Sequence, residues 1–317
     1  MNYTASPNRY EGFPSHFRRC GKSGILLPKV SLGLWKNFGD RRPLDEAKAL
    51  LHHAFDNGIT HFDLANNYGP PYGSAETNFG HVMHDSFHPY RDELFIATKA
   101  GYDMWEGPYG NWGSRKYLFS SLDQSLKRMQ LDYVDLFYSH RYDPVTPLEE
   151  TLQALVDIVR SGRALYVGIS RWPLEATRFA FDYLRQRDVP CLCYQGRLNL
   201  LDRVVIDDGI LDAVREEGCG FVSFSPLAQG LLTDRYLNGI PTDSRMRTDV
   251  TLKEEVLTPD LLQQLQEFRK EAATCGESLA NFALRKVLEE PGVTSVIIGA
   301  SSKAQLDENL KVMSSVK

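Results

Sequence analysis

The strongest constraint on how this chain can fold is a rhythm. From about residue 30 onward, short apolar runs rich in β-branched and aromatic residues alternate with amphipathic stretches of helical period. Eight such units can be counted, with candidate strands over residues 30–34, 60–64, 94–98, 133–138, 164–169, 191–195, 220–224 and 295–298. Each is near the length of a buried strand. A strand that must be followed by a helix before its parallel neighbour builds a sheet crossed by helices, and eight repeats close it into a (β/α)8 TIM barrel of the α/β class. The chain has 317 residues, more than one domain usually holds, yet barrels of this length form a single core. No low-complexity segment or shift in composition divides it, so residues 1–317 read as one barrel domain.

Local signals place several helices. Ala47, Leu50, Leu51, Ala54 and Phe55 recur at helical spacing and Gly58 follows them, which predicts a helix with one buried stripe. Thr146-Pro147-Leu148-Glu149 has the form of a capping box with proline at the first helical position, so a helix should start there with Thr146 as its cap. Thr258-Pro259 repeats the cap-and-proline signal ahead of Leu261, Leu262, Leu265 and Phe268. Residues 230–257 before it then read as a long loop, and long barrel loops are usually functional.

Charge and cysteine usage exclude several classes of function. The net charge is −5, and lysine and arginine are scattered among acids rather than gathered into a basic block, so nucleic acid is not an expected partner. No run approaches about 18 apolar residues and the N-terminal stretch lacks the apolar core of a secretory signal, so no membrane partner is expected and the cytoplasm is the expected location. Five cysteines, an odd number without CxxC spacing, argue against a disulfide framework or a zinc site. His81, His84 and His88 share a helical face but read as a solvated surface, and no metal is expected.

Chemistry in a parallel barrel collects where the strands end, because the βα loops converge on one mouth while the other end serves stability. Asp63, Lys99, His140, Ser170, Gln195, Ser225 and Gly299 to Ser301 all fall at or just past the carboxyl ends of candidate strands. Taken singly, Asp63 reads as a turn cap, Lys99 as a solvated loop lysine and His140 as a satisfied polar residue. Together they read as a deliberate cluster, since a buried lysine or aspartate without a partner is costly. Tyr68 follows close behind Asp63. Reduction of a carbonyl needs a proton donor at the nascent alkoxide, and a free phenol is a sluggish acid at neutral pH. A nearby Lys99 ammonium is expected to lower the phenol's pKa, with Asp63 keeping the lysine charged. A shift of about 2 units needs about 3 kcal/mol, within reach of one close charge at an effective dielectric near 20. A neutral His140 would position the carbonyl oxygen beside the phenol.

The stretches THFDLANNYG, IATKAG and DLFYSHR together resemble the Asp, Tyr, Lys and His tetrad of the aldo-keto reductases. The resemblance spans Arg19 to Asn309, and LGLWKNFG, YVGISRW, FSPLAQGLL and IIGASSKAQLDEN draw it closest to bacterial reductases of glyceraldehyde 3-phosphate and methylglyoxal and to potassium-channel β subunits. The channel proteins typically carry Asn where this chain has His140, a departure that favours an enzyme. The resemblance implies a catalytic tetrad of Tyr68, Asp63, Lys99 and His140, an N-terminal β-hairpin capping the barrel bottom, and NADPH/NADP+ as cofactor. It implies that Ser170, Arg171 and Gln195 hold the nicotinamide end, with Asn199 in support, Asp63 and Trp35 beside it, and Phe224 flat against the ring. Ser225, Pro226, Leu227, Ala228, Gln229 and Gly230 would wrap the pyrophosphate. Gly299, Ser301, Gln305, Glu308 and Asn309 would meet the adenosine phosphate, and Arg235 with Arg245 would take the additional phosphate that distinguishes NADPH from NADH. Trp35, Tyr68, Tyr102, Met104, Trp105 and His140 would line the substrate pocket.

The implied activity is reduction of small aldehydes, methylglyoxal and L-glyceraldehyde 3-phosphate foremost, by a homo-oligomer of four or eight chains. Family members usually continue for a further C-terminal segment that shapes the pocket, whereas eight residues follow Asn309 here. Two rivals stand beside this reading. Lys99 at a barrel strand end could form a Schiff base, as in an aldolase, or the protein could be a nicotinamide-binding regulatory subunit that reports redox state to a partner.

Overall fold

Two short strands, β1 (Phe17–Arg19) and β2 (Leu26–Pro28), pair antiparallel into a hairpin ahead of the main sheet. Eight further strands follow: β3 (Val30–Gly33), β4 (His61–Asp63), β5 (Phe95–Ala100), β6 (Val134–Ser139), β7 (Ala164–Ser170), β8 (Cys191–Arg197), β9 (Gly220–Phe224) and β10 (Val293–Ile298). They run parallel in sequence order and β10 closes onto β3, giving the expected eight-stranded barrel. The computed structural model describes residues 3–237, 239–240 and 253–316. Among these, no helix is long and apolar enough to cross a membrane.

Burial explains the strand composition. β5, β6 and β10 are buried at every position, one face packing into the barrel and the other under the helices. The helices lie outside. α1 (Leu44–Asp56) buries Ala47, Leu50, Leu51, Ala54 and Phe55, the stripe read from the sequence. α2 (Ser74–Val82), α3 (Arg115–Met129), α4 (Leu148–Arg160) and α5 (Leu174–Arg185) continue the ring, followed by the short α6 (Val204–Asp207) and α7 (Ile210–Glu217). α8 (Pro259–Thr274) starts as predicted, with the Thr258 hydroxyl accepting from the Leu261 N–H at 3.2 Å and proline in the first turn. α9 (Leu279–Glu289), α10 (Lys303–Leu310) and α11 (Val312–Ser315) complete the chain.

The start of α4 differs from the expectation. Pro147 is its cap residue and makes no side-chain cap bond. Thr146 instead engages Asp143, whose Oδ1 accepts the Val145 and Thr146 N–H groups at 2.9 and 3.2 Å. The Thr146 side chain bonds to the same carboxylate, so its hydroxyl is drawn away from the N–H groups of the first helical turn that a cap would serve, and a bond to a charged acceptor is the stronger one.

The hairpin closes the barrel's amino-terminal end. Cys20 and Leu27, both fully buried, pack with Phe95, Ala97, Leu136, Leu192, Cys193, Val222 and Ile297 from the barrel interior. Fully burying one leucine is worth about 2 kcal/mol. The Cys20 and Cys193 sulfurs lie 3.4 Å apart as free thiols.

Alternation along β8 would put Cys191 and Cys193 on one face. It does not, because the register against β7 pairs Val167 with Cys191 but Gly168 with Cys193, leaving Leu192 as an extra residue. Cys193 therefore enters the interior while Cys191 joins the layer under the helices. A second register shift, between Val293 and Ser295 on β10, sits on the other side of β9.

Candidate active site

At the carboxyl end of the barrel four side chains from three successive strands and one loop meet. Lys99, near the end of β5 and fully buried, donates from Nζ to Asp63 Oδ2 at 2.5 Å, to the Leu64 carbonyl at 2.6 Å and to Tyr68 Oη at 3.3 Å. Asp63 ends β4, and its second oxygen accepts from Gln195 Nε2 at 2.9 Å. Lysine, aspartate and glutamine thus satisfy one another, which a charged pair removed from water requires. Tyr68 stands in the loop after β4, its backbone N–H bonded to the Ala65 carbonyl and its ring partly exposed at the mouth. His140 follows β6 and its ring meets that of Tyr68 edge-on at 6.0 Å. Its Nδ1 is buried without a hydrogen-bond partner among the described residues. A ligand oxygen is the partner this position would accept.

The electrostatics depart from the sequence expectation at Tyr68. Burial raises the phenol well above its ordinary pKa, and the Asp63 carboxylate adds to the rise. The Lys99 ammonium does not reverse this, because its nearest neighbour is the Asp63 carboxylate, which cancels most of its field at the phenol. Lys99 is itself pushed below its ordinary value by burial, with Asp63 opposing the fall. Burial and the positive charges of Lys99, Arg171 and Arg141 hold His140 well below the usual imidazole range, so it is neutral at physiological pH.

Several of the other singled-out residues stand at the carboxyl ends of neighbouring strands or in the loops after them. Ser170 and Gln195 are buried at the ends of β7 and β8. Phe224 ends β9 partly exposed, with the guanidinium carbons of Arg197 and Arg171 at 5.7 and 5.9 Å from its ring centroid. The segment after it is tightly wound. Ser225, Ala228 and Gln229 adopt φ of 53°, 46° and 59°, and Gly230 follows at 100°. Three non-glycine residues in the left-handed region within five positions mark a backbone held for a purpose, and such winding turns N–H groups toward one side, as phosphate cradles do. Asn199 donates to the Ser225 carbonyl at 3.0 Å and props this loop. Pro226 and Leu227 lie within it, and Arg235 sits in the turn Asp234–Tyr236 beyond.

Past β10, Gly299 leads to Ser301, whose N–H and hydroxyl both donate to Gln305 Oε1 at 2.9 and 2.8 Å. Glu308 accepts from Ser278 and Asn281, each at 2.7 Å, and Asn309 is buried beside it. Arg245 lies outside the described residues. The residues present therefore fit a dinucleotide: buried amide and hydroxyl groups at two strand ends, an aromatic face, a wound backbone and a helix N-terminus lie in succession around one rim.

Of the expected pocket residues, Trp35 is exposed, its ring 6.3 Å from that of Tyr68. Tyr102 stands edge-on to His140 at 4.7 Å. Trp105 instead packs against Tyr117 at 5.2 Å, and Met104 joins the core beneath. Arg141, next to His140, carries no sequence-level signal beyond that adjacency, yet it organises the loop after β5. No group of three His, Cys, Asp or Glu residues positioned to hold a metal is found among the described residues.

Comparison with known proteins places the chain in a family. Residues 29–317 match the aldo/keto reductase family. The chain is 53% identical over 320 residues to L-glyceraldehyde 3-phosphate reductase of Escherichia coli (strain K12), covering 100% of this chain and 92% of that protein. It is 35% identical over 303 residues to a probable voltage-gated potassium channel subunit beta of Oryza sativa subsp. japonica, covering 94% and 90%.

Proposed function

Because this chain belongs to the aldo/keto reductase family, we propose that it reduces small aldehydes to alcohols with NADPH, L-glyceraldehyde 3-phosphate first and methylglyoxal second, with Tyr68 as proton donor. The observation that carries this reading is the Asp63–Lys99–Tyr68 chain of contacts beside a neutral His140 at one rim of the barrel. A nicotinamide held by Ser170, Gln195 and Phe224 would supply the hydride that the carbonyl carbon accepts. Everything else falls to side chains.

His140 offers a ring N–H to the carbonyl oxygen and fixes it beside Tyr68. As hydride arrives, charge builds on that oxygen, and the Tyr68 hydroxyl gives up its proton to it. The raised pKa of Tyr68 keeps the proton loaded at every physiological pH. Transfer still runs downhill, because an alkoxide is a stronger base than a phenolate. Lys99 at 3.3 Å stabilises the phenolate left behind until solvent restores the proton, and Asp63 holds the lysine in place. Ser170 and Gln195 are assigned to the carboxamide, Phe224 to the ring face, the loop 225–230 to the pyrophosphate and Arg235 to the phosphate peculiar to NADPH. Free thiols at all five cysteines support the cytoplasm as the working compartment.

The test is the loss of nicotinamide absorbance with purified protein, glyceraldehyde 3-phosphate or methylglyoxal, and NADPH or NADH. Turnover with a preference for NADPH is expected, and Arg235→Ala should raise the dissociation constant of NADPH at least several-fold more than that of NADH. Tight cofactor binding without turnover on either aldehyde would instead make the protein a regulatory subunit.

A further inference from the structure

The loop after β5 is built around a guanidinium that the chemistry above leaves unused. Arg141 is stacked between two aromatic rings, 3.7 Å from the centroid of Trp112 and 4.4 Å from that of Tyr102. Its Nε donates to the Gly101 carbonyl and its Nη2 to Asn111 Oδ1, each at 2.7 Å. Asn111 in turn donates to Asp103 and so stands between that carboxylate and the guanidinium. Trp112 adopts φ of 72°, a left-handed conformation costly for a large side chain, and the next residue pins it: the Gly113 N–H donates to Asp143 Oδ2 at 2.9 Å, and its carbonyl accepts from Thr151 at 2.8 Å.

A second guanidinium completes the arrangement. Arg171, also left-handed at φ of 60°, donates from Nη1 to Tyr102 Oη at 3.0 Å. Tyr102 therefore touches both arginines and the edge of His140. Arg141 and Arg171 bond only to neutral groups among the described residues. Arg171 is exposed, whereas Arg141 is partly buried. Among the partly buried arginines, Arg91 is paired with Asp135, Arg128 with Glu76 and Arg285 with Glu277, while Arg187, like Arg141, bonds neutral groups and stacks on a tyrosine. What sets Arg141 apart is its place: it is partly buried and shares the Tyr102 ring with His140, so a ligand at the reaction site can supply the anion, and a flat, stacked guanidinium is the preferred partner for a phosphate.

We propose that Arg141, assisted by Arg171 across the Tyr102 ring, binds the phosphate monoester of a short phosphorylated aldehyde whose carbonyl lies between Tyr68 and His140. This rests on the reductase reading and names its substrate class. In glyceraldehyde 3-phosphate two carbons and one ester oxygen separate the carbonyl carbon from the phosphorus, and the Tyr102 ring contacts both His140 and Arg141. Arg171 also lies near Phe224 and so borders the cofactor's side of the mouth. Arg141 packs instead on Tyr102 and Trp112, which makes it the residue to test for substrate phosphate as against cofactor phosphate.

The experiment compares kcat/KM for glyceraldehyde 3-phosphate with that for glyceraldehyde, which presents the same carbonyl without the phosphate. Arg141→Ala should lower the ratio of the two at least tenfold, mainly through KM for the phosphorylated aldehyde. Arg141→Lys should restore part of it, since an ammonium keeps the charge and loses the fork. Alongside, NADP+-loaded enzyme is titrated with glycerol 3-phosphate and followed by tryptophan fluorescence, a readout independent of turnover, and the alanine variant should bind it at least tenfold more weakly. An unchanged ratio with unchanged glycerol 3-phosphate affinity overturns the assignment. So does an equal loss of NADPH affinity, which would give Arg141 to the cofactor. If the wild type reduces neither aldehyde, the reductase reading fails, and the glycerol 3-phosphate titration alone decides whether the anion subsite exists.

Discussion

The two ends of the barrel solve opposite problems with the same strands. At the carboxyl end, β4, β5 and β8 present Asp63, Lys99 and Gln195, buried side chains whose charges and dipoles are met by one another, with Leu64 and Tyr68 also accepting from the lysine. At the amino end, the same sheet presents Phe95, Leu136, Leu192 and Val222 to a hairpin that plugs the opening with Leu27 and Cys20. One end holds a costly charged cluster; the other supplies apolar burial that offsets such costs. Function and stability are thus separable along the strands.

The sharpest way to break this separation is Tyr68→Phe. It should reduce kcat roughly a thousandfold, about 4 kcal/mol in barrier height, while cofactor affinity stays within a few-fold and unfolding free energy within about 1 kcal/mol. Retained turnover would remove the phenol from its role. Leu27→Ala tests the other end. It should cost about 3 kcal/mol in urea unfolding with kcat unchanged where the protein is folded, and a matching loss of kcat would mean that the plug reaches the chemistry.

A subtler probe is pH. His61, at the start of β4, lies wholly inside the barrel, bonded through Nδ1 to Ser31 at 2.8 Å, and burial lowers its pKa to about 4. Because it stays neutral when folded and binds a proton when unfolded below its ordinary value, stability should fall as pH drops below 6.5. From pH 6.5 to 5 this one group accounts for about 2 kcal/mol. His61→Asn should reduce the slope measured by urea unfolding, leaving the part that comes from His140, held well below its ordinary value, and from His52, which burial also lowers to about 4. A slope identical in the variant would place the pH sensitivity elsewhere.

The sequence made the barrel legible because strand and helix periods are local. Ala47 to Phe55 announced their face, and Thr258-Pro259 their helix start. Charges and competition are not local. The direction of the Tyr68 shift depends on how closely Asp63 embraces Lys99, and the loss of the Thr146 cap depends on Asp143 turning back onto the chain. Arg141 was invisible for the same reason, since its place between Tyr102 and Trp112 exists only once the loop has closed.

The extra residue at Leu192 has a consequence beyond the cysteines. Sidedness in a strand is a matter of parity, so one residue more or less exchanges inside for outside from that point on. Gln195, three positions later, reaches Asp63 only because Leu192 has set its phase. An indel at the quiet, plugged end of β8 would therefore rotate the reactive end away from its partners without touching a single one of them.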